Sequence, residues 1–498
     1  MILPSVIYGL FLLSVVGIYW SLPRPALRLW LLFAASLIFY TSLQVEYLPL
    51  MLAIALATYL LGHVISAPLN WRIDNAAWQA AEEKWDGRRL ALLWLGISLN
   101  ILLLVGFKYL SPTFDLIESM TGGYPFFTAS QSLLETLLIP LGISFFCFEC
   151  IAYLVDIYRG SPPSSRFIDF AAYKLFFPKL ISGPIVRFHS FAAQFEQQRP
   201  PQVNQIAEGL WLIAIGTFKK LLLADRIAIL VNLSFDNLER AGSGDIWLAV
   251  FAYGLQLYLD FSGYVDIARG SAIFLGFNLP QNFDFPYFST SIADFWRRWH
   301  ITLGAWLRNY LYFPLGGSRR GLERTCLNLL VVMVLAGAWH GDNWGFLIWG
   351  GIHGLALAVH RLTQALAQRW PWVERVWRSL PGILLAWLLT QLLVFGSWLF
   401  FRLPDVRGFS LALGRLWGQP ADIQFATKVY SESLGLTMPE ITALLLLVWL
   451  AMAIAYIFHR SFKVQLGWPV KLLLVPLCFF LSWLLAPSET LPYIYFEF

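Results

Sequence analysis

The run CLNLLVVMVLAGAWHG at residues 326–341 indicates which class of protein this is. It contains no Asp, Glu, Lys or Arg, and one histidine, His340, stands next to its end. A helix that crosses a lipid bilayer needs about 20 mostly apolar residues, and this run approaches that length. Eleven other segments are long and predominantly apolar, at 4–20, 26–42, 47–66, 90–110, 133–157, 206–231, 246–275, 343–360, 380–401, 441–459 and 469–486. The sequence therefore predicts an all-α, polytopic integral membrane protein with about twelve spans.

The composition supports a membrane protein and argues against other common classes. Of the 498 residues, 58% are hydrophobic and 13% are charged, whereas about a quarter of the residues of a soluble domain are charged. The net charge of +5 comes from basic residues in short loops, not from a dense basic tract of the kind that binds nucleic acid. Four cysteines are too few for a disulfide framework. Cys147 and Cys150 lie inside an apolar run and are interpreted as two buried helix cysteines.

Two further apolar stretches are interrupted. Residues 167–188 contain Pro178 and Pro184, and residues 285–315 contain the cluster WRRWH at 296–300. Proline breaks a helix, and charged side chains at the bilayer centre are costly. We therefore expect both stretches to form interfacial or re-entrant helices in addition to the twelve spans.

The loops that carry Lys and Arg alternate with loops that carry few or none. The basic loops hold Arg24, Arg28, Arg72, Lys84, Arg88, Arg89, Arg159, Arg166, Lys174, Lys179, Arg187, Arg199, Arg319, Arg320, Arg324, Arg361, Arg369, Arg375, Arg378, Arg460 and Lys463. The loop 111–131 on the opposite side has no Lys or Arg. Because cytoplasmic loops are enriched in basic residues, we expect both termini outside. The exceptions, on the predicted outer side, are Arg402, Arg407, Arg415 and Lys428.

His340 is the first candidate for catalysis. It ends a predicted span, and the small residues of AGAWHG (336–341) allow helices to approach closely around its ring. A neutral imidazole in a dry cavity can act as a general base on an attacking hydroxyl. A histidine that is only hydrogen-bonded within the bundle is the alternative, which we consider weaker because a buried polar group in a membrane usually has a function. Trp339 is expected to line the same cavity.

His300 is the second candidate, in a segment that alternates aromatic residues with Arg297, Arg298 and Arg308. Arginines on an interfacial helix can hold the phosphates of a donor such as a coenzyme A thioester. They can equally well anchor the helix at the membrane surface, with their stems in the apolar layer. The sequence leaves both interpretations of the arginines open.

Two other candidates, His353 and Asp260, each allow two interpretations. His353 follows His340 by one predicted hairpin and either faces the same cavity or packs as a helix histidine. Asp260 is a candidate cavity residue, but Asp260 and Asp266 share a span with Arg269, and a structural ion pair to Arg269 or to another helix is preferred.

The sequence has no nucleophile elbow and no phosphate-binding loop, and His300 and His340 do not have the spacing of a metal pair. No metal and no tightly bound cofactor are expected.

Five motifs occur along the chain in order: FFPKLISGPIVRF (176–188), QLYLDFSGYVDIARG (256–270), DFWRRWHITLGAWLRNYLYFPLGG (294–317), AGAWHGDNWGFLIWGGIHG (336–354) and PYIYFEF (492–498). In these motifs the chain resembles the membrane-bound O-acyltransferase superfamily, and within it the branch that O-acetylates alginate. Most of the shared motifs lie within residues 140–360, and over most of the rest of the chain the resemblance is limited to the order of the predicted helices. It implies one membrane domain over 1–498.

The resemblance also implies a fold and a reaction. It implies membrane helices around a central tunnel that opens to both faces, with His340 as the essential histidine and His300 as the second signature histidine. It implies an acyl donor on the cytoplasmic side of a bacterial inner membrane and an acceptor outside. Relatives of this kind acetylate alginate, cellulose or peptidoglycan, and a sister branch moves D-alanine onto teichoic acid.

The sequence as a whole predicts a membrane O-acyltransferase. We expect it to move an acyl group, acetyl by preference, from acetyl-CoA or another thioester to a hydroxyl of an exported polysaccharide or to a periplasmic relay protein. One alternative is D-alanyl transfer to teichoic acid from a carrier protein. A second alternative, from another class of protein, is a transporter or flippase. Proton-coupled transporters usually have several acidic side chains along the transport pathway. The distinctive groups here are instead histidines beside a segment rich in arginine and tryptophan.

Overall fold

The computed structural model describes residues 3–68, 78–121, 139–487 and 491–494, with the side chains of 78–80 and 110–121 outside that description. Within these ranges the chain forms helices and connecting segments, and no strand is present. The all-α prediction is confirmed. The described residues form two compact units, of which the first comprises 1–209 and 268–280 and the second 210–267 and 281–498.

The first unit is built from the N-terminal helices. They are α1 (Val6–Ser21), α2 (Pro25–Gln44), α3 (Leu48–Ser66), α4 (Trp78–Thr121), α5 (Ile143–Tyr158), α6 (Phe167–Lys174), α7 (Phe188–Ala192) and the first part of α8 (Val203–Thr217). Its core is rich in aromatic rings. Phe191, for example, stacks on Phe277 with ring centroids 4.8 Å apart, and Tyr173 contacts Phe191 at 5.7 Å.

The second unit contains the remaining helices and most of the predicted signature motifs. Its helices are α9 (Asp225–Phe235), α10 (Ser243–Phe274, up to residue 267), α11 (Ile292–Arg298), α12 (Ile301–Leu307), α13 (Leu322–His340), α14 (Trp344–Arg369), α15 (Pro371–Arg378), α16 (Leu380–Arg402), α17 (Val406–Arg415), α18 (Ile423–Ala426), α19 (Met438–Arg460) and α20 (Trp468–Leu485). Three π-helical turns interrupt this series, at Phe218–Ala224, Arg308–Tyr312 and Thr427–Leu434.

Helices occupy all twelve segments that the sequence predicts as spans, as far as those segments are described. By length and composition alone, six stretches of the described chain could cross a membrane: Pro25–Ser66, Ala81–Tyr109, Leu322–His340, Leu380–Arg402, Met438–Arg460 and Trp468–Leu485. The first of these contains both α2 and α3. The protein is thus a multi-pass membrane protein, and the figure of twelve spans stays a prediction.

The helix α4 extends well beyond the predicted span 90–110. It runs for 44 residues, from Trp78 to Thr121, so much of the two predicted loops on either side of it is helical. The polar stretch before the span, QAAEEKWDGRR, is rich in helix-forming residues, and helix propensity does not end at the membrane surface. Residues 69–77 and 122–131, which complete those loops, lie outside the described residues.

The two interrupted stretches form only short helices, as expected. In 167–188, α6 has 8 residues and is followed by turns. In 285–315, α11 and α12 have 7 residues each, and a π-helical turn follows. None of these helices is long enough to cross a bilayer by itself.

A buried charge cluster joins α5 to the segment after α6. Glu149 accepts hydrogen bonds from Lys179 at 2.7 and 2.8 Å and from Lys174 at 3.2 Å, and it also accepts from the backbone N–H of Val186 at 3.1 Å. All three charged side chains are nearly inaccessible, at 0–6% exposure. A buried ion is tolerated only when it is paired and hydrogen-bonded, so this cluster holds the first of the five motifs against α5.

Candidate active site

The hairpin of α13 and α14 positions His340. The two helices are in direct backbone contact: a Cβ on Gly337 would lie 2.2 Å from the carbonyl oxygen of Phe346, and a Cβ on Gly350 would lie 2.4 Å from that of Met333. No other residue fits at either position without moving a backbone. The predicted close approach of helices at the small residues before His340 is confirmed.

The imidazole of His340 lies within a group of aromatic rings. It is the last residue of α13 and is 3% exposed. Its ring centroid is 4.6 Å from Trp339, 4.8 Å from Phe401 and 5.3 Å from Trp349, and the last two rings meet it edge-on. Rings on several sides keep water away, and in such a low-dielectric setting the electrostatic interactions of the imidazole are stronger than they would be in water.

His353 lies on the other side of Trp349, with ring centroids 4.9 Å apart. Its Nε2 is 2.9 Å from Oγ of Ser397, and that hydroxyl donates to the backbone oxygen of Val394. Oγ must therefore accept from His353, which places the proton on Nε2. The lone pair on Nδ1 then accepts from the indole N–H of Trp296 at 3.3 Å. Both ring nitrogens of His353 are thus engaged in hydrogen bonds to Trp296 and Ser397.

We expect His353→Gln to keep turnover within about tenfold of wild type while it lowers the free energy of unfolding by about 1–3 kcal/mol, the range for loss of buried hydrogen bonds. Thermal unfolding and turnover on the same preparation measure both quantities. A turnover loss as large as that of a catalytic base, in a protein of unchanged stability, would contradict this assignment.

His300 begins α12 in the left-handed backbone region, with φ of 44°. The oxygen Oδ1 of Asn282 accepts from the backbone N–H of Thr302 at 3.0 Å and lies 3.3 Å from Nδ1 of His300. Because Oδ1 can only accept, Nδ1 carries the proton and the lone pair is on Nε2. His300 is 1% exposed, and burial disfavours the charged imidazole. The site thus presents a neutral histidine whose tautomer is set by Asn282.

His300 and His340 belong to one aromatic network. From His300 the ring contacts run through Phe261 (4.9 Å), Phe283 (5.0 Å) and Trp299 (5.1 Å). They continue through Trp398 (5.1 Å) and Trp349 (6.0 Å) to His340. The indole N–H groups of Trp349 and Trp398 are buried and have no hydrogen-bond partner within the described part of the chain. Two donors are therefore available to a ligand in this network.

The three candidate arginines differ in their surroundings. Arg297 and Arg308 are exposed, and the side chain of Arg297 donates to a backbone oxygen of its own helix, that of Ala293, at 3.3 Å. Arg298 forms an ion pair with Asp294 at 2.8 Å. Arg297 and Arg308 are thus better placed than Arg298 to meet a solvent-borne anion.

Asp260 is buried in an ion pair with another helix, the interpretation that the sequence favoured. It accepts from Lys220 at 2.7 Å and from the backbone N–H of Ile494 at 3.0 Å, and Lys220 also pairs with Asp225 at 2.8 Å. Asp266 pairs in the same way with Lys219 at 2.7 Å. Asp260 therefore anchors residues near the C-terminus, and its expected place beside the catalytic cavity stays a prediction.

Several residues of the site could not be singled out in the sequence. Asn282, Ser397, Trp398 and Phe401 lie outside the quoted motifs, and their role depends on partners 18 to 99 positions away along the chain. Other aromatic residues of the site, namely Phe261, Trp296, Trp299 and Trp349, do stand within the quoted motifs. Among the described residues no group of three or more His, Cys, Asp or Glu could hold a metal ion.

A model of the membrane-bound O-acyltransferase family matches residues 127–397, which is more than half of the chain. The chain belongs to the membrane-bound O-acyltransferase family. Residues His300, His340 and His353 all fall inside the matched region. Family membership makes the protein a membrane acyltransferase with a donor and an acceptor substrate, and it favours this interpretation over a transporter.

Individual relatives agree with this membership. The chain is 38% identical to the probable alginate O-acetylase AlgI of Azotobacter vinelandii over 403 residues, covering 81% of this chain and 75% of that one. It is 36% identical to the peptidoglycan O-acetyltransferase of Helicobacter pylori over 411 residues, covering 76% and 71%. The similarity to the teichoic acid D-alanyltransferase of Streptococcus thermophilus is lower, at 28% over 249 residues and 47% of this chain. The O-acetylating relatives are thus the more similar.

Proposed function

We propose that this acyltransferase moves an acetyl group from acetyl-CoA, on the cytoplasmic side of a bacterial inner membrane, toward an exported polysaccharide. The acceptor is a hydroxyl of the polysaccharide itself or of a periplasmic relay protein. The observation that carries the proposal is His340, buried among aromatic rings at the end of α13, in a chain whose relatives named as O-acetylating enzymes match about four fifths of its length.

We assign the role of general base to His340. The acceptor hydroxyl attacks the carbonyl carbon of the thioester, so that a C–O bond forms and the C–S bond breaks. The hydroxyl proton passes to the imidazole of His340 and from there to the departing sulfur, which leaves as a thiol. We place His300 next to the thioester, where the lone pair on its Nε2 can accept a hydrogen bond from a substrate and help to position it.

The proposal includes an arrangement in the membrane. Twelve spans place both termini outside and the basic loops in the cytoplasm. The helices form one domain over 1–498 around a tunnel, with the donor entering from the basic side and the acceptor from the other. A base that is reached from both sides allows transfer across the bilayer without moving either substrate through it.

Arginine-to-lysine changes test where the donor enters. We expect Arg297→Lys and Arg308→Lys to raise the KM for acetyl-CoA by about tenfold, because lysine lacks the planar fork that binds a phosphate through two hydrogen bonds. The kcat should change little, since distal phosphates are held equally in the ground and transition states. Arg298→Lys is the matched control, because a lysine at this position can keep the ion pair with Asp294. Steady-state kinetics on purified variants measure this, and an unchanged KM in the first two would leave them as membrane anchors.

The choice of donor separates acetyl transfer from D-alanyl transfer. Purified protein in detergent is given acetyl-CoA or a D-alanyl carrier-protein thioester, each with polysaccharide fragments or lipoteichoic acid, and release of the thiol is followed. We expect thiol release with acetyl-CoA that depends on a polysaccharide acceptor. Turnover with the D-alanyl thioester alone would replace the proposal by its alternative.

A further inference from the structure

A long open groove lies between α14, α15 and α16 in the second unit. Its volume is about 1010 Å³, and the residues just before α11 close one end of it. His340, His353 and the aromatic residues around them do not line it. The lining of the groove is therefore distinct from the aromatic surroundings of His340, although Arg297 lies near enough to His360 to interact with it electrostatically.

The deeper half of the groove has apolar walls. Leu355 and Val359 on α14 face Ile383 and Leu389 on α16 across it, and these four side chains are 42–57% exposed. The wall on α14 extends from Ile352 to Gln368, about 24 Å at the rise of an α-helix. In a membrane protein such exposed aliphatic walls face lipid chains, and a groove of this length can hold an extended acyl chain.

The other half of the groove is polar and basic. His360, Arg361 and Gln364 on α14 lie there with Arg378 on α15. Arg361 is exposed and donates to Gln364 at 3.3 Å, and Nε2 of His360 is buried without a hydrogen-bond partner among the described residues. Arg378 forms an exposed ion pair with Glu374. Of the four arginines and one glutamate in residues 361–378, Arg361, Arg378 and Glu374 line the groove, so its lining at this end has a net positive charge.

Exposed tryptophans indicate where the polar end of the groove lies relative to the membrane. Trp370, Trp372 and Trp377, in and just before the short helix α15, are 47%, 63% and 38% exposed. Exposed tryptophans next to arginines are typical of a helix at the level of the lipid headgroups. The basic end of the groove is thus at headgroup level, and its apolar walls run from there into the acyl layer.

We propose that this groove binds an anionic phospholipid of the cytoplasmic leaflet. The phosphate lies at Arg361 and His360, and one acyl chain lies along Leu355, Val359, Ile383 and Leu389. Basic pockets between membrane helices on the cytoplasmic side bind anionic headgroups in this way. A soluble anion would make no use of the apolar walls, and a zwitterionic lipid would gain little from the arginines.

The experiment is native mass spectrometry on the purified full chain, given dioleoyl phosphatidylglycerol or dioleoyl phosphatidylcholine. We expect a retained phosphatidylglycerol molecule that phosphatidylcholine does not replace. Arg361→Ala should weaken its retention about fivefold, the effect of about 1 kcal/mol per arginine near an anionic lipid. Arg324→Ala is the control, because it changes an exposed arginine in the first turn of α13 that does not line the groove, and it should bind as wild type does.

A second pair of variants tests the apolar walls. Ala386→Phe fills the groove, whereas Leu388→Phe adds the same ring on the same helix outside it. Only the first should abolish retention, with the same melting temperature in both. Equal retention in wild type, Arg361→Ala and Ala386→Phe would overturn the proposal. So would displacement of the lipid by glycerol phosphate, which would make this a soluble-phosphate site, or by acetyl-CoA, which would make it a donor site.

Discussion

His340→Ala should reduce acyl transfer at least about a hundredfold, because a positioned general base contributes about 10²–10⁴-fold to a rate. The loss should appear in kcat and in kcat/KM alike, since the base acts in the transition state and does not hold the donor. The measurement is thiol release from acetyl-CoA by protein purified in detergent, with wild type and variant at equal concentration.

Two controls separate the loss of the base from loss of the fold. His340→Gln nearly keeps the volume of the buried side chain and its hydrogen-bonding capacity but cannot take a proton, so it should be as inactive as His340→Ala. His459→Ala changes an exposed histidine at the end of α19 and should be fully active. Wild-type turnover by a well-folded His340→Gln would remove the catalytic role from His340.

Glu149→Gln should prevent stable folding. Glu149 is the carboxylate that pairs with both Lys174 and Lys179, and its loss leaves two buried ammonium groups without an opposite charge. Removing one partner of a buried ion pair costs about 3–5 kcal/mol, a large part of the 5–15 kcal/mol that typically stabilises a protein. Detergent-extracted protein should aggregate or melt far below wild type in a fluorescence-detected size-exclusion assay.

A matched control and a rescue make this prediction specific. Glu82→Gln changes an exposed glutamate of α4 in the same unit and should melt as wild type does. Replacing all three members of the cluster by methionine removes the charges together, and such replacements are often tolerated. A triple variant more stable than Glu149→Gln would attribute the defect to the unpaired lysines, whereas a stable Glu149→Gln would show that the cluster contributes little.

The class of the protein and the burial of His340 at the end of a helix could be predicted from the sequence alone. Long apolar runs have only one inexpensive conformation in a bilayer, since a helix satisfies its own backbone hydrogen bonds. That rule is local, so it places helices without reference to the rest of the chain. The small residues before His340 likewise predicted the close helix contact that Gly337 and Gly350 make.

The partners of the polar side chains were decided only by the tertiary structure. Nothing near His353 in the sequence indicates that Ser397, 44 positions away, accepts the hydrogen bond from its Nε2–H. Nothing near His300 indicates that Asn282 sets its tautomer. Asp260 shares a helix with Arg269, yet it pairs with Lys220, 40 positions away. Hydropathy depends on each segment by itself, whereas a hydrogen bond or an ion pair depends on which segments fold against each other. The sequence therefore specified which groups are buried, and the fold specified which partner each of them has.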